Sequence, residues 1–297
     1  MLAGTIIAII SAGSPCLAQK DDFDDNNDTG WTRFNPLGSA KFSTTVGTYH
    51  IIGPASPDPV NFGAARAASL RLDAVYSDFC VMVDIVAYNS SLPQAMGVMA
   101  RVQGTPTPGT TAGYVFTYQP AANDVQISRV TAEQPTAVGA FVELPAVPSP
   151  GTTLRLVLWG YGSYLEGRIY DTADLLDPLA ICFGTDTTYA SGTCGLLASH
   201  FSTTSNEGID ATFDNYAAND GTPPPVSVTQ DGTNGVTLSW PDSALCWQLQ
   251  TSSSLAPGSW SDVTTGITHQ SGDGTFSLAA TFASGGTRRF WQWWLPE

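Results

Sequence analysis

The chain has 297 residues, carries a formal net charge of −15, and draws only 12% of its residues from Asp, Glu, Lys and Arg. Two lysines and five glutamates stand beside 29 glycines and 20 prolines, which excludes a helical bundle and favours short strands joined by turns over one or two domains. With no basic run to neutralise phosphates, nucleic acid and anionic lipid are excluded as partners, and neutral, hydroxyl-rich ligands stay open.

The chain opens on "MLAGTIIAIISAGSPCLAQ". A short apolar stretch followed by small residues predicts a signal peptide over residues 1–18, cut between Ala18 and Gln19. The stretch is too short to span a membrane, so the protein is expected to be secreted or displayed at the cell surface. Next comes "DDFDDNNDTGW", five aspartates and two asparagines ahead of the first tryptophan. Alternating segments then recur at short intervals: "SLRLDAVY", "FCVMVDIVAY", "AMGVMARVQG", "GYVFTYQP", "DVQISRVTAE", "TLRLVLWG", "YLEGRIYD", "LAICFG", "CGLLASHF" and "DATFDNYAA". Each reads as a strand with turn residues on either side. Ten or more such strands predict a two-sheet, jelly-roll β-sandwich over residues 19–220. "TPPP" at 222–225 reads, with Gly221, as a stiff linker. Beyond it, six or so short strands over residues 226–297 predict a small immunoglobulin-like sandwich with Trp240 in its core.

Two stretches carry a resemblance. "DDFDDNNDTGW" at the opening and "ATFDNYAA" at the close, with "GVMARV", "GYVFTYQP" and "DVQISRV" between them, resemble the concanavalin A-like, laminin G-like jelly rolls of bacterial secreted proteins of planctomycete and verrucomicrobial type. "VTLSWPDS" and "SWSDVT" in the tail resemble fibronectin III-like modules, which space or anchor. The first resemblance implies that the first and last strands of the jelly roll pair. If Phe23 and Phe213 then both point inward, alternation sends Asp22, Asp24 and Asp214 outward together. Three crowded carboxylates need a hard cation or water, so this group is the candidate calcium site, with a solvated acidic rim as the alternative. It is not an EF-hand loop: the glycine falls one place late and no Glu closes it.

The fold class implied by the resemblance hosts lectins, glycosidases and lyases alike, so activity must be argued from residues. No strand carries the paired carboxylates of a retaining glycosidase, and Glu133, Glu143, Glu166, Glu207 and Glu297 are scattered. There is no nucleophile elbow, phosphate-binding loop or zinc spacing. An enzyme is therefore disfavoured, although a site assembled from distant strands stays open. Binding has better candidates. "LRLVLWGYGSYLEGRIY" reads as a hairpin whose turn presents Trp159, Tyr161 and Tyr164, rings suited to the C–H face of a sugar, with edge packing of Trp159 as the alternative. Arg101 and Arg129, on alternating strands, either reach a glycan or pair with Asp84 or Asp124. Tyr114, Phe116 and Tyr118 share one strand face and read as core. Cys182 and Cys194 flank a loop and are a candidate disulfide, against the alternative that Cys80, Cys182, Cys194 and Cys246 are four free, buried thiols. "RRFWQWW" places indoles on both faces of the last strand, a surface for self-association or for packing. The reading that unites these is a non-catalytic binder of polysaccharide or surface glycan, with a self-assembling surface or filament protein, and a hydrolase or lyase, as alternatives.

Overall fold

In a computed structural model, residues 18–202, 204–231, 235–270, 274–281 and 289–294 are described. The expected signal peptide lies outside the described residues except for Ala18. The described chain is almost wholly β and divides into two compact units, one running to Gly221 and one from Thr222.

The first unit holds sixteen strands in chain order. They are β1 (Ala18–Asp21), β2 (Trp31–Phe34), β3 (Lys41–Ser43), β4 (Tyr49–Gly53), β5 (Arg66–Tyr76), β6 (Phe79–Tyr88), β7 (Gln94–Val102) and β8 (Gly113–Gln119). They continue as β9 (Asp124–Thr131), β10 (Gln134–Ala137), β11 (Val142–Glu143), β12 (Leu154–Tyr161), β13 (Tyr164–Asp171), β14 (Ala180–Thr185), β15 (Gly192–His200) and β16 (Ile209–Asn219). One sheet runs β14-β13-β12-β6-β16-β4-β3, with β1 added on β16. The other runs β10-β9-β8-β7-β15-β5-β2, with β11 added on β9. Every pairing is antiparallel, and β1 pairs with β16 from Ala18↔Asn219 to Asp21↔Tyr216, so the first strand does pair with the last.

The core lies between these sheets. Along β8, Tyr114, Phe116 and Tyr118 are fully buried and face it; along β12, Leu154, Leu156 and Leu158 do the same. The pleat sends alternate residues to the opposite face, which is how one strand serves two surfaces. The acidic opening is a loop after β1, and its oxygens are put to local use. Asp21, Asp22, Asp25 and Asn27 each accept a backbone N–H two residues on, the Asx pattern that lets such residues replace a backbone turn. Asp21 also accepts the Trp31 indole N–H at 2.7 Å. Phe23, with φ of 54°, packs against both Trp31 and Tyr49, ring centroids 5.7 and 5.1 Å away, and these two rings also stack on each other. Removing such a ring costs about 3–5 kcal/mol, so Phe23 is the pin that holds the acidic loop onto the sandwich.

The second unit forms a four-stranded sheet of β17 (Ser227–Asp231), β18 (Gly235–Pro241), β22 (Thr275–Thr281) and β21 (Ile267–Gln270), in that spatial order. A three-stranded sheet orders β20 (Ser261–Asp262), β19 (Gln248–Ser252) and β23 (Phe290–Trp294). Trp240 is buried as expected, against Phe276 and edge-on to Trp293. Trp291 is buried, and the Trp293 indole donates to the Pro224 carbonyl at 2.8 Å, so these two rings of the terminal strand are spent at least partly on packing.

The cysteines correct two expectations. Cys182 and Cys194 are not bridged: both are free and buried, Cys182 in the first sheet and Cys194 in the second, facing into the core. The alternative of four free thiols also fails, because Cys80 and Cys246 are disulfide-bonded. Burial pushes both the Cys182 and the Cys194 thiol up to about 12, and only the thiolate reacts readily with an alkylating agent. Native protein at pH 8 should therefore leave both cysteines unmodified by iodoacetamide, and denaturant without reductant should expose both. Peptide masses showing the two linked to each other would contradict this.

Candidate functional site

Each feature singled out in the sequence has a definite place in the first unit. The hairpin forms, with Tyr161 opposite Tyr164 across Gly162 and Ser163, and Gly162 at φ 55° supplies the left-handed position that the tight turn needs. Its aromatic platform does not form as expected. Trp159 is only 1% exposed, and its indole donates to Glu166 at 3.2 Å. Tyr164 is half-buried and donates to the other Glu166 oxygen at 2.7 Å. Tyr161 alone of the three stays open, at 58% exposure.

The two arginines are structural. Arg101 is buried, donates to the Ser77 and Tyr189 carbonyls, and lies over the Phe79 and Tyr114 rings. Arg129 bonds Asp186 at 2.9 Å and Thr188 at 3.2 Å. Asp84 instead takes a bidentate pair from Arg155, at 2.6 and 2.8 Å. Neither arginine pairs with Asp84 or Asp124.

Among the acidic residues, Phe23 and Phe213 are both in the core as the alternation argument requires. Asp22 and Asp24, however, lie in the loop beyond β1, not on the strand. Among the described residues no three His, Cys, Asp or Glu side chains are grouped to hold a metal ion. What the structure brings together is charge. Asp214 stands directly opposite Asp84 in the register, at a bulge where Asn215 takes φ of 51°. Burial first, and then the charges of Asp84, Asp24 and Asp22, push the Asp214 carboxyl up to about 6, against the lowering effect of the Asn215 N–H.

A different surface has the properties of a binding site. The outer face of the sheet containing β8 and β9 forms a groove of about 440 Å³, within the range of small-ligand sites. Its floor is built by the pleat: Val115, Thr117 and Gln119 are the β8 residues that alternate with the core aromatics, Ser128 and Gln126 stand opposite Val115 and Thr117 on β9, and Val130 continues that β9 row opposite Gly113. Phe34, Ala68 and Met99 extend the apolar part of that floor, an apolar cluster separate from the main core. Arg66, Glu133, His200 and Phe201 stand around it.

The polar atoms of this groove are under-used. Gln126 Nε2, Thr111 Oγ1, Glu133 Oε1, Arg66 Nε and His200 Nδ1 are buried and make no hydrogen bond within the protein. Fourteen side-chain atoms among the described residues share that condition, and five of them belong to residues lining this one groove. Leaving a buried polar atom unpaired costs about 1–3 kcal/mol, so such a concentration calls for an external partner. Their roles follow from their neighbours. Ser128 donates to Gln126 Oε1 at 3.0 Å, which leaves the amide N–H₂ free to donate. His200 Nε2 lies 2.9 Å from the Ser205 carbonyl and must donate to it, so Nδ1 of the neutral ring is an acceptor.

Glu133 sits on the two-residue turn between β9 and β10, where Thr131 pairs with Gln134. Ala132 and Glu133 have φ of 48° and 65°. That is the type I′ pattern normally filled by Asn-Gly, and it costs an L-residue about 1–2 kcal/mol per position. None of these groove residues was singled out as a site from the sequence. The available signal was uncharged hydrogen-bonding side chains at the outward positions of "GYVFTYQ" and "DVQISRV"; the assembly of Arg66, Glu133 and His200 from separate segments left none.

No family model matches the chain, and no curated protein matches it. Among solved structures it is similar to the carbohydrate-binding module CBM66 from Bacillus subtilis, at 17% identity over 65% of this chain and 97% of that one, with a TM-score of 0.45. It is similar to lectin UEA-II complexed with galactose at 11% identity, 68% and 98% coverage, and a TM-score of 0.46. The GH43 protein BlXynB from Bacillus licheniformis aligns at 13% identity over 68% of this chain and 39% of its own, with a TM-score of 0.46. Similarity at this level leaves the site to be read from the chain's own side chains.

The Asp214 environment makes a prediction whose sign is fixed. A carboxyl whose folded-state pKa is raised contributes stability that is full below the unfolded value near 4 and is lost as pH rises through about 6. Asp214→Asn should match the wild type near pH 4 and melt higher at pH 7.5. After discounting for partial solvation the gain is about 1 kcal/mol, or roughly 2–4 °C for a unit of this size. A gain equal at both pH values would contradict the electrostatic origin. Millimolar calcium that stabilised the wild type alone would instead establish the acidic group as a cation site.

Proposed function

We propose that the protein is an exported, non-catalytic glycan-binding protein whose binding site is the groove over β8 and β9. The observation that carries this reading is the joint presence of an apolar floor and five unpaired, buried polar atoms of mixed donor and acceptor character. A sugar presents the complement: a C–H face for the floor and hydroxyls that donate and accept at once. A purely apolar ligand would leave the polar atoms unpaired, and an anion would find Arg66 as the only Arg or Lys among the lining residues, already paired with Glu133.

The groove also argues for binding over hydrolysis. Among the described residues that line it, Glu133 is the only carboxylate, whereas glycoside hydrolysis needs two, set about 5 Å apart for retention or about 6.5–9.5 Å for inversion. Export is supported independently of the leader by the disulfide-bonded state of Cys80 and Cys246, since such bonds persist in oxidising compartments.

A glycan array with the purified protein tests the reading. Retention of neutral oligosaccharides is expected, with no release of reducing ends on incubation. Gln126→Ala should weaken binding by one hydrogen bond, about 0.5–1.5 kcal/mol or roughly two- to tenfold. Val115→Trp, which fills the groove from a position pointing away from the core, should abolish it. Tyr161→Ala should leave it unchanged. Loss of binding in Tyr161→Ala with full binding in Val115→Trp would move the site to the β12–β13 turn.

A further inference from the structure

The Arg66–Glu133 pair at the groove has a geometry that its salt bridge alone does not account for. Arg66 Nη1 donates to the Phe62 and Ala64 carbonyls at 2.9 Å each, and Nη2 bonds Glu133 Oε2. A guanidinium and a carboxylate side by side ordinarily close two parallel bonds, the second running from Nε–H on the same edge as Nη2. Here the second bond is open: Arg66 Nε and Glu133 Oε1 each have no partner. One donor and one acceptor, anchored to each other through the neighbouring atoms, are left buried and unpaired on two residues that line the groove.

The turn that places Glu133 gives a second, independent observation. Ala132 and Glu133 are consecutive non-glycine residues in the left-handed region, and the Glu133 N–H is tied to the Thr111 carbonyl at 2.9 Å. Asn-Gly would make the same turn without strain. Strained backbone persists where the surrounding structure imposes it, and it clusters at ligand-binding positions. A glycine here would relax the turn and delete the carboxylate.

We propose that this half-closed fork is the specificity element of the groove. A single hydroxyl of a neutral sugar accepts from Arg66 Nε–H and donates to Glu133 Oε1, completing the fork. A hydroxyl satisfies both atoms because it donates and accepts together; an ether, a deoxy carbon or a carboxylate satisfies at most one. Acidic sugars are rejected, because the Arg66 charge is already met by Glu133 and a ligand carboxylate would face Oε1 directly. The inference rests on the glycan reading of the same groove and adds the ligand's chemistry to it.

The experiment is binding, by titration calorimetry, of the best neutral ligand from the array, its deoxy analogues and a uronic-acid analogue. The proteins are the wild type, Arg66→Lys and Glu133→Gln, each first checked for an unchanged circular dichroism spectrum. One deoxy analogue is expected to bind the wild type at least about tenfold more weakly than the parent, as expected when a buried donor and acceptor lose their partner. The two variants should bind the parent with a similar loss and should no longer distinguish parent from that analogue. The uronic-acid analogue should bind the wild type more weakly than the neutral parent. If a variant fails to fold, the deoxy series on the wild type and the other variant still decides. Full discrimination retained by both variants, or tighter binding of the acidic analogue, overturns the clamp while leaving glycan binding intact. A wild type that retains no glycan overturns the glycan reading and the clamp with it.

Discussion

The two-residue period of the pleated strand is the constraint on which the rest of this protein depends. In β8 it commits Tyr114, Phe116 and Tyr118 to the core, and by the same geometry it leaves Val115, Thr117 and Gln119 on the other side. The antiparallel register then sets Ser128 and Gln126 of β9 against Val115 and Thr117. A core and a groove are thus two faces of the same strands, so a slip of one residue would destroy both.

The outer faces of the two sheets handle polarity in opposite ways. On the sheet of β6, β12 and β13, buried polar groups are paired: Asp84 with Arg155, and Glu166 with Arg168, Trp159 and Tyr164. Burial and the hydrogen bond to Glu166 push the Tyr164 hydroxyl upward, so it remains a donor to that carboxylate. Such a closed network rigidifies and has little left to offer a ligand. On the sheet of β8 and β9 the equivalent groups stand unpaired around an apolar floor. A satisfied network belongs to the scaffold, and an unsatisfied one to recognition.

Much of the architecture was legible because it follows from alternation. The strands, the inward Phe213 and the core role of Tyr114, Phe116 and Tyr118 follow from one period, whereas the pairing of the first strand with the last came with the resemblance, and Phe23 reaches the core from a loop position at φ 54°. The acidic opening was legible as the start of the sandwich but not as a loop, because Asx turns depend on which backbone N–H each carboxylate meets. The exposure of Trp159 was misread for a related reason. Trp159 on a glycine-containing turn looked exposed, but the carboxylate directly across the hairpin from it, at Glu166, captures its indole. Arg66, Glu133 and His200 come from segments far apart in the sequence, and no local pattern joins them. The strain at Ala132 and Glu133 cannot be read from an Ala-Glu dipeptide, since only the register shows that it closes a two-residue hairpin.

The central claim is that the unpaired atoms of the groove are completed by the hydroxyls of a bound sugar. A crystal structure of the protein soaked with a neutral oligosaccharide tests it most directly. The account predicts a sugar ring over Val115 and Met99, with hydroxyls within hydrogen-bond distance of Gln126 Nε2, Arg66 Nε and Glu133 Oε1. Sugar bound elsewhere, at Tyr161 or on the second unit, with the groove holding only water, would contradict it.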